Sequence, residues 1–355
     1  MNLKNRLCTV RSDVRFVSPA RLSGRSLYGN IARAILGAVL LILSMAAVAM
    51  GSRPDTNLIE VNDFGSNPGD LKMFVYVPPK FDPARPLVVA LHGCGQQAKA
   101  YDEEPGWKKF ADQYQFALLL PQEQTHLVRC FRWFEPDQNQ RGKGEALSIS
   151  QMVEKMKKDY KIDPKRIYVT GLSAGGAMTA VMLATYPEVF AGGAIMAGLP
   201  YKCASSEAEA TAKCGLLGHK LAPEKDLSPA QWGDLVRGAA ERNGARPLVS
   251  IWHGSNDGTV DPRNQQELME QWTNVVGIDQ KPDADETVNG HLRRVYKDDD
   301  GRTLVETYLI KNMGHATPID PGNAENECGT PAPFIFVADI CSTYYVVKFW
   351  RLDRQ

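Results

Sequence analysis

After residue 50 the apolar positions fall into short solid runs, not strict alternation. Such runs lie at Met73–Val77, Leu87–Leu91, Phe116–Leu120, Arg166–Thr170, Gly192–Met196, Leu248–Trp252 and Leu304–Ile310. Unbroken apolar runs of this length mark strands buried on both faces, as in a parallel sheet. Between them, helices are predicted at Trp107–Tyr114, Glu145–Tyr160, Ala174–Tyr186, Pro229–Arg242 and Pro262–Val275. Ser228-Pro229 opens one of these with an N-cap residue followed by Pro at the first helical position. Strands alternating with helices predict a mostly parallel, doubly wound sheet with flanking helices, and no linker or repeat divides it. Groups that handle a ligand then belong on loops at the C-terminal ends of the strands.

The first fifty residues follow a different pattern. Arg6, Arg11, Arg15, Arg21, Arg25 and Arg33 precede an apolar run from Ala34 to Met50 that contains Ala47-Val48-Ala49. A basic segment, an apolar segment and an A-x-A site read as a secretory signal peptide over 1–49, cleaved after Ala49. The rival reading is a retained membrane anchor, for which the run falls just short of the ~20 residues a span requires. The expected organisation is therefore a leader followed by one domain over 50–355, secreted to the periplasm or outside the cell.

Composition narrows the field further. The chain has 41 basic and 41 acidic residues, so its formal charge is zero and no basic excess points to nucleic acid. Cys8 lies in the leader, leaving Cys94, Cys130, Cys203, Cys214, Cys328 and Cys341. An even number in an exported chain points to disulfides, and six cysteines allow fifteen pairings. No C-x-x-C or H-E-x-x-H spacing is present, so no metal or cofactor is expected.

The chemistry concentrates at Arg166–Thr179. Here an apolar run meets Gly171-Leu172-Ser173-Ala174-Gly175, and a small-residue helical stretch follows at once. Strand, tight turn and helix start form the nucleophile elbow of an α/β-hydrolase, with Ser173 on a strained turn that flanking side chains would obstruct. A serine hydroxyl needs a base, and the base needs a carboxylate to hold its tautomer. In this fold the order along the chain is Ser, acid, His. Asp257 lies in the turn after the Leu248–Trp252 run, and Asp261, followed by Pro262, reads instead as a helix cap. His315 follows the last strand after Asn312-Met313-Gly314 and satisfies both order and topology.

The remaining histidines are read as bland. His253 is expected to be a hydrogen-bonded structural residue and His291 to be solvated, while His126 and His219 sit in loops away from strand ends. An oxyanion hole needs two N–H groups. Ala174 supplies one as the residue after the nucleophile. Cys94 is the choice for the other, in the loop His92-Gly93-Cys94-Gly95 after Leu87–Leu91.

Six segments occur together and in order: LHGCGQ at 91–96, CFRWF at 130–134, GLSAGGAMT at 171–179, WHGSNDGTV at 252–260, NMGHATPIDPG at 312–322 and ICSTYYVVKFW at 340–350. In these the chain resembles the catalytic domain of secreted short-chain polyhydroxyalkanoate depolymerases, in the poly(3-hydroxybutyrate) depolymerase esterase family, over nearly everything after residue 60. The resemblance implies the triad Ser173, Asp257 and His315, oxyanion amides at Cys94 and Ala174, and a substrate-stacking Trp133. It also implies the disulfides Cys94–Cys130, Cys203–Cys214 and Cys328–Cys341.

The implied activity is hydrolysis of short-chain polyhydroxyalkanoate esters or their oligomers through an acyl-enzyme. Feruloyl and acetylxylan esterases of the same family are the alternative. Members that degrade solid polymer carry a linker and a binding domain after the catalytic domain. This chain reaches Gln355 directly after a helix-like segment, so the expectation covers oligomers and soluble esters, not adsorption to crystalline polymer. A peptidase of this fold would bring a gating domain, and a non-catalytic relative would have lost a triad member. The expected partner is an ester substrate, with no nucleic acid and no stable membrane partner once the leader is cleaved.

Overall fold

The structure is a computed structural model describing residues 57–241 and 246–354. The signal peptide expected over 1–49 lies outside the described residues. The described residues form twelve strands, named here β1 to β12 in order. The core of the sheet is β3 (Leu87–Leu91), β4 (Ala117–Gln122), β5 (Ile167–Leu172), β6 (Gly192–Met196), β7 (Leu248–Gly254) and β10 (Thr303–Ile310). Ten strands pair in the order β1-β2-β4-β3-β5-β6-β7-β10-β9-β8. The pairs β3–β4, β3–β5, β5–β6, β6–β7 and β7–β10 are all parallel. Their near-total burial is what the unbroken apolar runs require, since helices cover both faces. This is an α/β-hydrolase fold.

The edges depart from a parallel reading. β1 (Ile59–Val61) and β2 (Lys72–Tyr76) pair antiparallel at one side, and β8 (Ala284–Val288) and β9 (His291–Lys297) at the other. The β8–β9 hairpin was not expected, because its strands are rich in charge. Its turn nevertheless carries a local signal: Asn289 and Gly290 have φ of 48° and 84°. Positive φ at both central positions is the requirement of a type I′ hairpin turn, which Asn-Gly meets. His291, expected to be solvated, is buried. Its Nε2 lies 2.7 Å from the Ala338 carbonyl, and its Nδ1 accepts from Lys311 N at 3.1 Å. A histidine in a charged stretch is hidden here because the last loops fold over the start of β9.

The helix after the elbow, Ala174–Thr185, is buried along its whole length. Glycines permit that approach: a Cβ at Gly193 would stand 2.6 Å from Leu183 Cδ1. The Pro229–Arg237 helix begins with the expected Ser228 cap, in which Ser228 and Gln231 bond reciprocally. It ends five residues before the predicted Arg242.

The chain order creates the site. After β3 the chain places β4 on one side and then returns to place β5 on the other. Connections leaving β3 and β5 diverge there, opening a crevice at their C-terminal ends. The loop carrying Cys94 and the turn carrying Ser173 flank that crevice. On the far side, β10 lies parallel to β7 with Ile310 opposite Gly254. The loops leaving these two strands are therefore neighbours from their first residue.

Candidate active site

Ser173 has φ 58° and ψ −118°, a conformation sparsely populated by residues with a side chain. The surroundings impose it. Ser173 N donates to Met196 O at 2.8 Å, and the Ser173 carbonyl accepts from Ala177 N at 2.9 Å as the helix begins. The flanking glycines are a steric necessity. A Cβ at Gly171 would sit 2.8 Å from Leu91 O, and one at Gly175 would sit 2.6 Å from His92 O. Strand β3 passes so close to the turn that only hydrogen fits. Ser173 remains partly exposed in an otherwise buried segment, so its hydroxyl is held at the surface of the crevice.

Asp257 and His315 come together as the order along the chain requires. His315 Nδ1 lies 2.7 Å from Asp257 Oδ2, with both side chains buried. The loops that carry them are laced to one another. Ser255 N donates to Ile310 O, Asn256 N to Met313 O, and Asn312 N to Ser255 Oγ, each at 2.9 Å. Gly254 lets the two backbones meet, since any Cβ there would fall on the carbonyls of Met313 and Gly314.

The other Asp257 oxygen accepts from Thr259 N at 2.8 Å and Val260 N at 2.9 Å. Burial opposes ionisation of this carboxyl. The hydrogen bonds from His253 and His315 outweigh it and hold Asp257 well below the usual carboxylate range. Asp257 is thus an anion, fit to accept a hydrogen bond from His315 Nδ1–H and leave Nε2 as the basic nitrogen. Asp261 does not reach His315; it accepts from Arg263 N at 3.3 Å and Leu221 N at 3.0 Å, tying down the start of the 263–276 helix.

The loop after β3 is built to present one amide. Gly93 N donates to Gln96 Oε1 at 2.8 Å, Gly95 N to Val128 O at 2.7 Å and Gln96 N to Gly93 O at 3.1 Å. The Cys94 amide lies between the bonded amides of Gly93 and Gly95 in this turn. His92, fully buried, anchors the loop. Its Nδ1–H donates to Gly93 O at 2.8 Å, and its Nε2 accepts from Glu123 N at 3.2 Å. Burial pushes the His92 pKa down to about 4, so the ring stays neutral and keeps that donor–acceptor arrangement at neutral pH. In the sequence, the only local signal for His92 is its place immediately after a buried strand.

The three disulfides are Cys94–Cys130, Cys203–Cys214 and Cys328–Cys341, the pairs that the resemblance implied. The first ties the oxyanion loop to the segment that carries Trp133. Trp133 itself departs from expectation. It is 4% exposed, packs edge-on against Phe134 at 5.4 Å and belongs to the main apolar core. A ring so enclosed offers no open face for stacking on substrate. Phe334 is the aromatic beside the dyad, edge-on to the His315 ring at 6.0 Å. No cluster of His, Cys, Asp and Glu among the described residues could hold a metal ion.

Comparison with known proteins identifies relatives of this chain. The family profile described as esterase PHB depolymerase matches residues 71–284. The chain is 49% identical to poly(3-hydroxyalkanoate) depolymerase C of Paucimonas lemoignei, over 91% of this chain and 77% of that one. It is 34% identical to an acetylxylan esterase of Coprinopsis cinerea, over 75% of this chain and 70% of the relative. Feruloyl esterase B of Neurospora crassa is 35% identical over 74% of this chain and 89% of its own length. Among solved structures, acetyl xylan esterase from Aspergillus awamori superposes with a TM-score of 0.64 at 29% identity, covering 73% of this chain and 93% of that one. A profile spanning most of the chain, together with relatives that are all ester hydrolases, shows that this protein is a carboxylic ester hydrolase of the PHB depolymerase esterase family.

Proposed function

We propose that the protein cleaves ester bonds of short-chain poly(3-hydroxyalkanoate) oligomers by acyl transfer to Ser173. The observation that carries this is the 2.7 Å bond between buried Asp257 and His315, on neighbouring loops at the C-terminal ends of strands in the sheet whose β5 ends in the strained serine turn. Ser173 Oγ attacks the ester carbonyl while His315 Nε2 takes its proton, and Asp257 orients the imidazole and offsets its charge. The oxyanion is met by the amides of Cys94 and Ala174. His315 then protonates the departing alcohol, and water repeats the sequence to release the acid. The polyester reading rests on the 49% identity to a poly(3-hydroxyalkanoate) depolymerase.

A second reading, deacylation of plant polysaccharide, is favoured by the acetyl xylan esterase superposition. Release of 3-hydroxybutyrate from its oligomers, measured beside release of ferulate and of acetate from xylan, separates the two. Ser173→Ala should lower turnover by about three orders of magnitude or more. Retention of a tenth of the activity would remove Ser173 from its role. We propose also that residues 1–49 are a cleaved export leader ahead of one catalytic domain over 50–355. Three disulfides suit an oxidising compartment. Intact mass of the exported protein should begin at Met50, and a mature protein that keeps the leader would refute cleavage.

A further inference from the structure

Asp257 serves two histidines. His253 is the penultimate residue of β7, fully buried, opposite Leu309 of β10. Its Nε2 lies 3.3 Å from Asp257 Oδ2, the same oxygen that receives His315, and 3.1 Å from the Val260 carbonyl. Both neighbours are acceptors, one a carboxylate and the other a carbonyl, so Nε2 must carry the hydrogen. The other ring nitrogen, Nδ1, is buried and meets no partner. A proton there would be an unsatisfied buried donor on a buried cation, which is strongly disfavoured. The ring is thereby locked as the neutral Nε2–H tautomer, a single fixed donor aimed between Asp257 and Val260.

We propose that His253 is a positioning residue of the hydrolytic relay, setting through Asp257 both the direction and the basicity of His315. This rests on the acyl-transfer reading above. The orienting effect follows from the count of donors. Two backbone amides hold Oδ1. His253 then fixes the remaining rotation, so that Oδ2 faces the imidazole at 315. The electronic effect follows from sharing. An oxygen that already lies 3.3 Å from one N–H, which it shares with the Val260 carbonyl, is less basic toward a second donor, so the His315 proton stays on Nδ1 and the imidazolium is not over-stabilised. The titratable groups facing Asp257 are His253 from β7 and His315 from the loop after β10.

Three variants and one measurement on the unaltered protein test this. His253→Gln can place an amide N–H near the position of Nε2, whereas His253→Phe fills the space without a donor. A hydrogen bond to a charged group is worth about ten- to a hundredfold, so His253→Phe should lower kcat by that factor with KM within about threefold. Its kcat/KM profile should rise at higher pH than wild type, because an Asp257 relieved of one donor holds the His315 proton more tightly. His253→Gln should recover most of the turnover and the original profile. Equal losses in both variants with an unmoved profile would reduce His253 to a packing residue.

Should His253→Phe fail to fold, ¹⁵N spectra of histidine-labelled wild-type protein still decide. A His253 ring protonated at Nδ1, or charged at neutral pH, overturns the proposal. Ser173→Ala run in parallel keeps the two ideas apart: if it stays active the acyl-transfer reading fails, whatever the tautomer at 253.

Discussion

Cutting the Cys94–Cys130 bridge should damage turnover as well as stability, and the structure indicates how much of each. The bridge closes a loop of 36 residues. In the chain-entropy treatment, a loop of that length contributes about 4 kcal/mol by restricting the unfolded chain. For a domain of about 300 residues this corresponds to a fall in Tm of about 6 °C. The catalytic loss is separate. The bridged residue carries the amide proposed for the oxyanion, and deleting such a donor outright costs about a hundred- to a thousandfold.

Here the amide remains and only its tether is lost. Gly95 N still binds Val128 O, and Arg132 N still binds Glu145 Oε2, holding both partners of the bridge near their places. The expected result for the double variant Cys94→Ala/Cys130→Ala, assayed well below its melting point, is a fall of about tenfold in kcat with KM little changed. That split is the mark of an interaction made mainly in the transition state. Thermal unfolding followed by circular dichroism, with initial rates on a soluble 3-hydroxybutyrate ester, provides both readouts. A variant with wild-type kcat, or with Tm within about 1 °C of wild type, would refute the coupling of bridge to oxyanion loop.

Two further outcomes follow from the packing. Gly175→Ala should cost about 3 kcal/mol or more and abolish turnover, because its methyl would drive into the carbonyls of Leu91 and His92. Gly258→Ala, with open space around it, should stay within about 0.5 kcal/mol of wild type by denaturant titration, and similar penalties at both sites would defeat the steric account. Asp102 is fully buried, and neither of its side-chain oxygens finds a partner. Burial, reinforced by the neighbouring Glu103, pushes its carboxyl up to about 7. Such a group contributes stability that is complete below the ordinary carboxylate range and is lost as pH rises through 7. Asp102→Asn should therefore be neutral near pH 4 and stabilising by about 1–3 kcal/mol at pH 8, and a pH-independent difference would count against it.

Much of this protein is written locally. The solid apolar runs at Leu87–Leu91 and Gly192–Met196 are strands with those same bounds, and Trp107–Tyr114 is a helix with the predicted bounds. Strands buried on both faces leave no freedom of pattern, so composition alone announces them. The serine turn is equally local. Gly171, Ser173 and Gly175 declare a sharp strand-to-helix corner wherever it lies in the fold. Signals that depend on partners were not legible. β8 and β9 are charged because they pair at an edge, and His291 looked solvated because nothing nearby in sequence covers it.

What the sequence by itself determined is the alternation of strands and helices, the elbow, and a short set of candidate acids and bases. Tertiary structure alone decided which of them meet. The parallel pairing of β7 with β10 brings residues 257 and 315 to one place across 58 positions of sequence. It also set His253 on the same carboxylate and turned Trp133 inward. The reason is physical: backbone preference and side-chain periodicity act over a few residues, whereas the direction of a ring or carboxylate is set by whatever distant strand packs beside it.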